Sequence, residues 1–232
     1  MLRFLKRIVL SVLLIGIIVC GVFTYLGYQK YKMAVEQEPL KQKVEVIYSS
    51  NDFVALADLP KTYKEAVVAV EDRRFYQHQG VDYIGIIRAL INDIRYMELR
   101  EGGSSITQQL AKNLYFEGET SLQRKVAEVF VAFDLEKNYS KSEILEMYVN
   151  SIYFGNGYYG VGQASRGYFG KMAKHMTDAE STMLAGIPNA PSAYAFNKHK
   201  DKAIQRQKQV LKRMVKNGYL TEEEAEKMVY KE

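Results

Sequence analysis

Apolar positions change their spacing twice along this chain. From Ile8 to Leu26 there are 19 residues without a charge, close to the roughly 20 a helix needs to cross the hydrocarbon core of a bilayer. Arg3, Lys6 and Arg7 precede the run, while Tyr25, Tyr28, Lys30 and Lys32 mark its far side. That asymmetry predicts a cytoplasmic N-terminus, with everything after Lys30 outside the membrane. A cleaved signal peptide is the alternative, but its apolar stretch is about 7–15 residues long, and no small-x-small cleavage site directly follows this run. The expectation for residues 1–30 is an uncleaved anchor. Residues 31–60 read as a linker in which Lys43-Val44-Glu45-Val46-Ile47-Tyr48 alternates like a short strand, closed by Ser49-Ser50-Asn51-Asp52.

After Pro60 the spacing becomes helical nearly to the end. Five capping-box patterns mark helix starts: Thr62 with Glu65, Thr120 with Gln123, Ser140 with Glu143, Thr177 with Glu180, and Thr221 with Glu224. Val126, Val129, Phe130 and Phe133 form an apolar stripe behind the second of them. Residues 61–232 therefore read as one mainly α domain, without internal repeats. Its tail from Lys198 to Glu232, rich in Lys, Arg and Glu on helical spacing, reads as a solvated face against the body.

Composition narrows the picture. With 232 residues, 47% of them hydrophobic and 25% charged, the chain can bury a core and is not disordered throughout. A net charge of +5 suits an acidic partner such as phosphate or an anionic bilayer and does not call for nucleic acid. The single cysteine, Cys20, excludes an intrachain disulfide framework and a cysteine-rich metal site. Eighteen tyrosines and ten phenylalanines with no tryptophan predict much half-buried, amphipathic surface.

Three stretches carry candidate chemistry. Glu71-Asp72-Arg73-Arg74-Phe75-Tyr76-Gln77-His78-Gln79-Gly80 follows the apolar run Ala66–Val70, where desolvation can raise the pKa of a glutamate into a general base's range. A charged helix end facing water fits the same residues. Gly102-Gly103-Ser104-Ser105 leads into Ile106-Thr107-Gln108-Gln109-Leu110-Ala111-Lys112-Asn113, either a loop that lets its backbone approach an anion at a helix start or an ordinary capped turn. Arg124 and Glu128 share a helix face at i,i+4, as a plain surface ion pair or as a carboxylate beside phosphate-gripping cations. Further on, Ile152–Gly160 and Tyr168-Phe169-Gly170 combine glycines with rings, either as a saccharide platform or as core around tight turns.

In this order the segments resemble the peptidoglycan glycosyltransferases, the module found in class A penicillin-binding proteins and in monofunctional enzymes. Glu71, Asp72, Phe75, His78 and Gly80 match ED-x-x-F-x-x-H-x-G, and Gly103 to Asn113 is similar to G-S-T-I-T-Q-Q-x-x-K-N. Arg124 to Glu128 matches R-K-x-x-E, Ile144 to Asn150 resembles I-L-E-x-Y-L-N, and Leu184 to Pro191 resembles the closing loop. Ser105 replaces a threonine and keeps its hydroxyl, Val149 replaces a leucine, and Ala195-Phe196-Asn197 lacks a frequent proline. With no transpeptidase module after Glu232, the chain is most similar to the monofunctional type.

The resemblance implies a lysozyme-like α lobe with a smaller membrane-proximal lobe, and polymerisation of lipid II with inversion to a β-1,4 link. It implies Glu71 as the base for the acceptor 4-OH and Glu128 as the second carboxylate. The implied substrate-binding set is Asp72, Phe75, His78, Gly103, Ser105, Gln108, Gln109, Lys112, Asn113, Arg124, Lys125 and Asn150. Within it Asp72, Phe75 and His78 act as supports for Glu71, and Lys112, Arg124 and Lys125 meet the pyrophosphate. No cofactor is obligatory, although a divalent cation (Mg or Mn) at Glu128 is compatible with the pattern. The expected partners are lipid II, the growing glycan, the bilayer and other cell-wall synthesis proteins. Two rivals stand beside this reading. One is a glycan-cleaving lytic transglycosylase or lysozyme-like enzyme, and the other is an inactive membrane-anchored scaffold of wall synthesis.

Overall fold

The computed structural model describes residues 2–96 and 103–230; Met1, Gly102 of the glycine pair, and Lys231 and Glu232 of the tail lie outside them. Helix α1 (Leu2–Gln37) runs for 36 residues, about 54 Å at the α-helical rise. It is long and apolar enough to cross a membrane, and its apolar side chains before Gly27 are largely exposed. Its C-terminal part instead docks on α6 (Leu122–Asn138). Tyr28 and Tyr31 pack their rings on Phe130, and the Tyr31 hydroxyl donates to Asp134 at 2.5 Å. Lys30 pairs with Glu119 at 2.7 Å. A Cβ on Gly27 would lie 2.5 Å from Val126, so only glycine permits this approach. The apolar stripe of α6 is thus divided. Val126 and Phe130 meet α1, Phe133 is exposed, and it is Ala127, Val131, Ala132 and Leu135 that enter the core.

The strand expected at Lys43–Tyr48 is a helix, α2 (Leu40–Tyr48). Its alternation is a coincidence of six residues. Over a window starting at Leu40, the buried side chains Leu40, Val44 and Ile47 recur at helical spacing. With Leu59 they join the domain core. Among the described residues there is no strand, only an isolated bridge between Tyr153 and Tyr159.

Three expected capping boxes form, at Ser140 before α7 (Lys141–Ser151), Thr177 before α9 (Asp178–Gly186) and Thr221 before α12 (Glu222–Lys227). Two do not. Helix α3 (Lys61–Glu71) begins directly after Pro60, and the Thr62 hydroxyl instead donates to Asp178 at 2.5 Å. Helix α6 begins one residue late, with Ser121 rather than Thr120 accepting from the Arg124 amide at 3.0 Å. A box that was not expected, Ser105 with Gln108, starts α5 (Ile106–Tyr115).

The core lies between α3, α5, α7 and α9. The run Ala66–Val70 of α3 is buried all round, as a central helix must be, and packs on α9 and α11 (Lys200–Lys216). On its other side α5 contacts α6 and α7, and Tyr63, Phe75, Ile106, Leu110 and Tyr148 are fully buried. The glycine and aromatic stretch around α8 (Gly160–Phe169) is core around tight turns. Phe154 is fully buried, its carbonyl accepts from the Tyr168 hydroxyl at 2.8 Å, and Tyr158 packs against the same cluster. Gly155 sits at φ +85°, with space for no more than a hydrogen beside the Pro191 carbonyl that opens α10 (Pro191–Tyr194). Helix α4 (Tyr83–Tyr96) leaves Tyr83, Ile84, Ile87 and Ile91 exposed. The tail is solvated on one face only, with Lys202, Lys208 and Lys212 exposed. Ala203, Arg206, Gln207, Val210, Leu211 and Met214 of α11 are buried against α3 and α9.

Candidate active site

Glu71 is the last residue of α3, placed where the buried helix opens on a cavity of about 580 Å³. Its Oε2 accepts from Gln109 Nε2 at 2.9 Å, and Gln109 Oε1 accepts from the buried Tyr148 hydroxyl at 3.1 Å, so α5 and α7 together fix one carboxylate oxygen. The other oxygen, Oε1, is buried and has no hydrogen-bond partner among the described residues. Burial pushes the Glu71 carboxyl above its ordinary range; the Gln109 bond and the Arg206 and Arg213 charges pull it back only in part, and Asp72 adds to the rise. One oxygen held and one free suits proton transfer.

Five cations line this cavity, Lys112, Arg124, Lys125, Arg206 and Arg213, against two carboxylates, Glu71 and Glu128. Glu128 has no exposed surface. Arg124 bonds its Oε1, and Lys125 Nζ donates to its Oε2 at 2.8 Å and to Ser104 Oγ at 2.6 Å. The i,i+4 pair is thus a buried anchor that aims two cations into the cavity. Lys112 is exposed to the cavity and makes no ion pair among the described residues. A divalent cation does not fit Glu128 as placed, because both of its oxygens are held by cations. Among the described residues no three His, Cys, Asp or Glu side chains gather as a ligand set.

The remaining motif residues surround this centre. Asp72 Oδ2 accepts from the Ile106 amide at 3.1 Å and lies 2.8 Å from His78 Nε2, tying the end of α3 to the start of α5. Phe75 is fully buried beneath Lys141, whose ammonium sits 4.5 Å from the ring centre. Ser105 Oγ donates to the Gly80 carbonyl and accepts from the Gln108 amide at 3.1 Å, so its hydroxyl is used in joining two motifs. Gly103 lines a side chamber of about 130 Å³ that shares Glu71, Ser104 and Arg213 with the main cavity. Asn150 clamps Val54 through two hydrogen bonds, at 2.9 and 2.8 Å, and neither it nor Asn113 lines the cavity. The fold therefore brings together Glu71, Gln108, Gln109, Lys112, Arg124, Lys125 and Glu128. Asp72, Phe75, His78, Ser105 and Asn150 hold the elements that carry them.

A transglycosylase family model matches residues 37–215. The chain belongs to the transglycosylase family. It is 44% identical over 184 residues to penicillin-binding protein 1F of Bacillus subtilis, covering 79% of this chain and 26% of that protein. With a putative transglycosylase of Cupriavidus necator it shares 42% identity over 188 residues, 81% of each chain. The crystal structure of penicillin-binding protein 1A from Haemophilus influenzae aligns with 78% of this chain and 17% of that one, at a TM-score of 0.47 and 23% identity. The chain thus spans about a quarter of the penicillin-binding protein 1F it matches and most of the Cupriavidus protein. At family level it is a peptidoglycan glycosyltransferase module.

In this transglycosylase the motif residues are not the whole site. Arg206 and Arg213 of α11 line the cavity, as do Asn189 of the closing loop and Tyr194 of α10. The tail carried one legible signal for them. Arg206 falls on the apolar stripe Ala203, Val210, Leu211 and Met214, where a solvated arginine has no reason to be.

Proposed function

We propose that the chain polymerises lipid II into glycan strands at this cavity, with Glu71 as general base. The observation that carries the reading is Glu71, its Oε1 buried and unpartnered, on the wall of a cavity that five cations also line. The acceptor 4-OH gives its proton to the Glu71 carboxylate while its oxygen attacks the anomeric carbon of the donor from the face opposite the pyrophosphate. The bond to the pyrophosphate oxygen breaks, undecaprenyl diphosphate leaves with the electron pair, and the new link is β-1,4. A positioned base contributes about 10²–10⁴-fold. The leaving pyrophosphate needs its growing negative charge met rather than protonated, and Lys112, Arg124 and Lys125 meet it from the cavity wall. Glu128 keeps two of these cations apart and aimed. No step runs through a metal, because the donor set does not fit one. The anchor helix α1 suits a polyprenyl substrate that stays in the bilayer, with the catalytic domain outside the cell.

A raised carboxyl pKa would also suit the general acid of a glycan-cleaving enzyme. That reaction has no use for a cavity rich in cations. Incubating the purified full chain with labelled lipid II, and separately with preformed glycan, separates the two. The reading predicts a ladder of lengthening products from lipid II and unchanged preformed glycan. Shortened glycan with lipid II left intact would contradict it.

A further inference from the structure

Helix α3 ends at the base, and the carbonyls of its last turn have no partner within the helix. Two of them are taken by α11. Arg213 Nη1 donates to the Val70 carbonyl at 2.9 Å, and Asn217 Nδ2 to the Ala69 carbonyl at 3.2 Å. Seven residues earlier on the same face, Arg206 Nε donates to the carbonyl of Gly186, the end of α9, at 3.2 Å, and its Nη1 to Gln209 Oε1 at 3.0 Å. A Cβ on Gly186 would lie 3.0 Å from Arg206 Cγ, so that glycine leaves the room the arginine uses. Cations at helix C-termini are favourable in themselves. Here both guanidiniums also line the cavity into which Glu71 opens, and Arg206 is only 8% exposed. A buried guanidinium that joins no carboxylate directly calls for another role.

We propose that α11 is the positioning element of the catalytic glutamate: Arg213 and Asn217 pin the last turn of α3, from which Glu71 meets the cavity that Arg206 and Arg213 also line. This rests on the reading of Glu71 as the base. The groups facing Glu71 can be named element by element. Neutral Gln109 and cationic Lys112 come from α5, Tyr148 from α7, and Asp72 follows on its own strand of chain. Arg206 and Arg213 come from α11, with Arg124, Lys125 and Glu128 of α6 in the same cavity, and Arg73, Asp82, Arg88 and Lys216 line the side chamber that Glu71 borders. Of these, Arg206 and Arg213 are the charges that oppose the desolvation of Glu71, while Asp72 reinforces it.

The test is the pH profile of lipid II polymerisation by the full chain and by Arg213→Met, Arg213→Lys, Asn217→Ala and Glu71→Gln. Removing the Arg213 charge makes Glu71 harder to ionise. Arg213→Met is expected to move the acid limb of kcat/KM upward by about one pH unit, a tenfold change in ionised base, and to lower kcat with KM changed less than about twofold. Arg213→Lys restores the limb but not all of kcat, since a lysine keeps the charge without the fork geometry. Asn217→Ala lowers kcat and leaves the limb in place. A raised KM with an unmoved limb in Arg213→Met would make Arg213 a substrate contact and overturn the proposal, as would unchanged kinetics. Should Arg213→Met not fold, Arg206→Met carries the same pH readout. Glu71→Gln distinguishes the two levels. Full turnover in that variant sinks the base itself, whereas a dead Glu71→Gln beside an unmoved limb sinks only the role of α11.

Discussion

At the scale of single residues, the demands on Glu71 oppose each other. Its carboxyl lies at the end of a helix buried all round, and burial raises its pKa despite the two arginines and Gln109. A carboxyl whose folded pKa lies above its unfolded one contributes stability that is complete below the unfolded value and is lost as pH rises through the folded value. Glu71→Gln should therefore unfold at a higher temperature than the parent at neutral pH, and the gain should vanish in acid, below the unfolded carboxyl pKa. Thermal scans at the two pH values check this; equal melting at neutral pH would mean that the carboxylate sits there without strain. The motif residues were legible because their chemistry is packed into short runs. What the runs do not reveal is the division of labour. Phe75 and Asn150 match the pattern as well as Lys112 does, yet one is fully buried and the other is spent on Val54, whereas Lys112 opens on the cavity. Short-range spacing fixes which residues are near in sequence, not which side of a helix faces the opening.

At the scale of elements, docking between helices decides what local pattern cannot. The α1–α6 contact depends on Gly27, where a Cβ would fall 2.5 Å from Val126. Gly27→Ala is expected to destabilise by about 1–3 kcal/mol, and Val126→Gly, which removes both Cβ and Cγ1 from the clash, to offset part of that in the double variant. Denaturation in detergent measures both; strict additivity would remove the proposed contact. Helix starts were legible to within a residue where Ser or Thr met Glu at the right spacing, as at Ser140, Thr177 and Thr221. Elsewhere a competitor won. Pro60 supplies a fixed entry to α3, which frees Thr62 to bond Asp178, and Ser121 displaces Thr120 by one position. Lys43–Tyr48 reads as a strand only while the window excludes Leu40. The role of α11 was hidden for a different reason. Its arginines cap helices 143 and 20 residues away in sequence, a relation that only the tertiary packing creates.

At the scale of the whole molecule, one helix fit for a bilayer leads into a domain whose cavity gathers five cations around Glu71 and Glu128. The exposed part of α1 contributes nothing to the core, and its docked end begins at Gly27. Removing residues 2–26 should therefore leave the domain's thermal unfolding unchanged while abolishing partition into vesicles and slowing polymerisation of vesicle-borne lipid II. Flotation and a rate assay on vesicles read the two effects, and a large loss of thermal stability would show that the segment packs on the domain after all. Glycan growth is proposed to depend on the Glu71 carboxylate, and its neutral isostere shows whether it does. Parent chain and Glu71→Gln, both shown to be folded by their melting curves, are given labelled lipid II at the same pH and their products separated on a gel. The predicted result is a glycan ladder from the parent and a rate about 10²–10⁴-fold lower from the variant. A ladder of equal length and rate from Glu71→Gln would contradict the account.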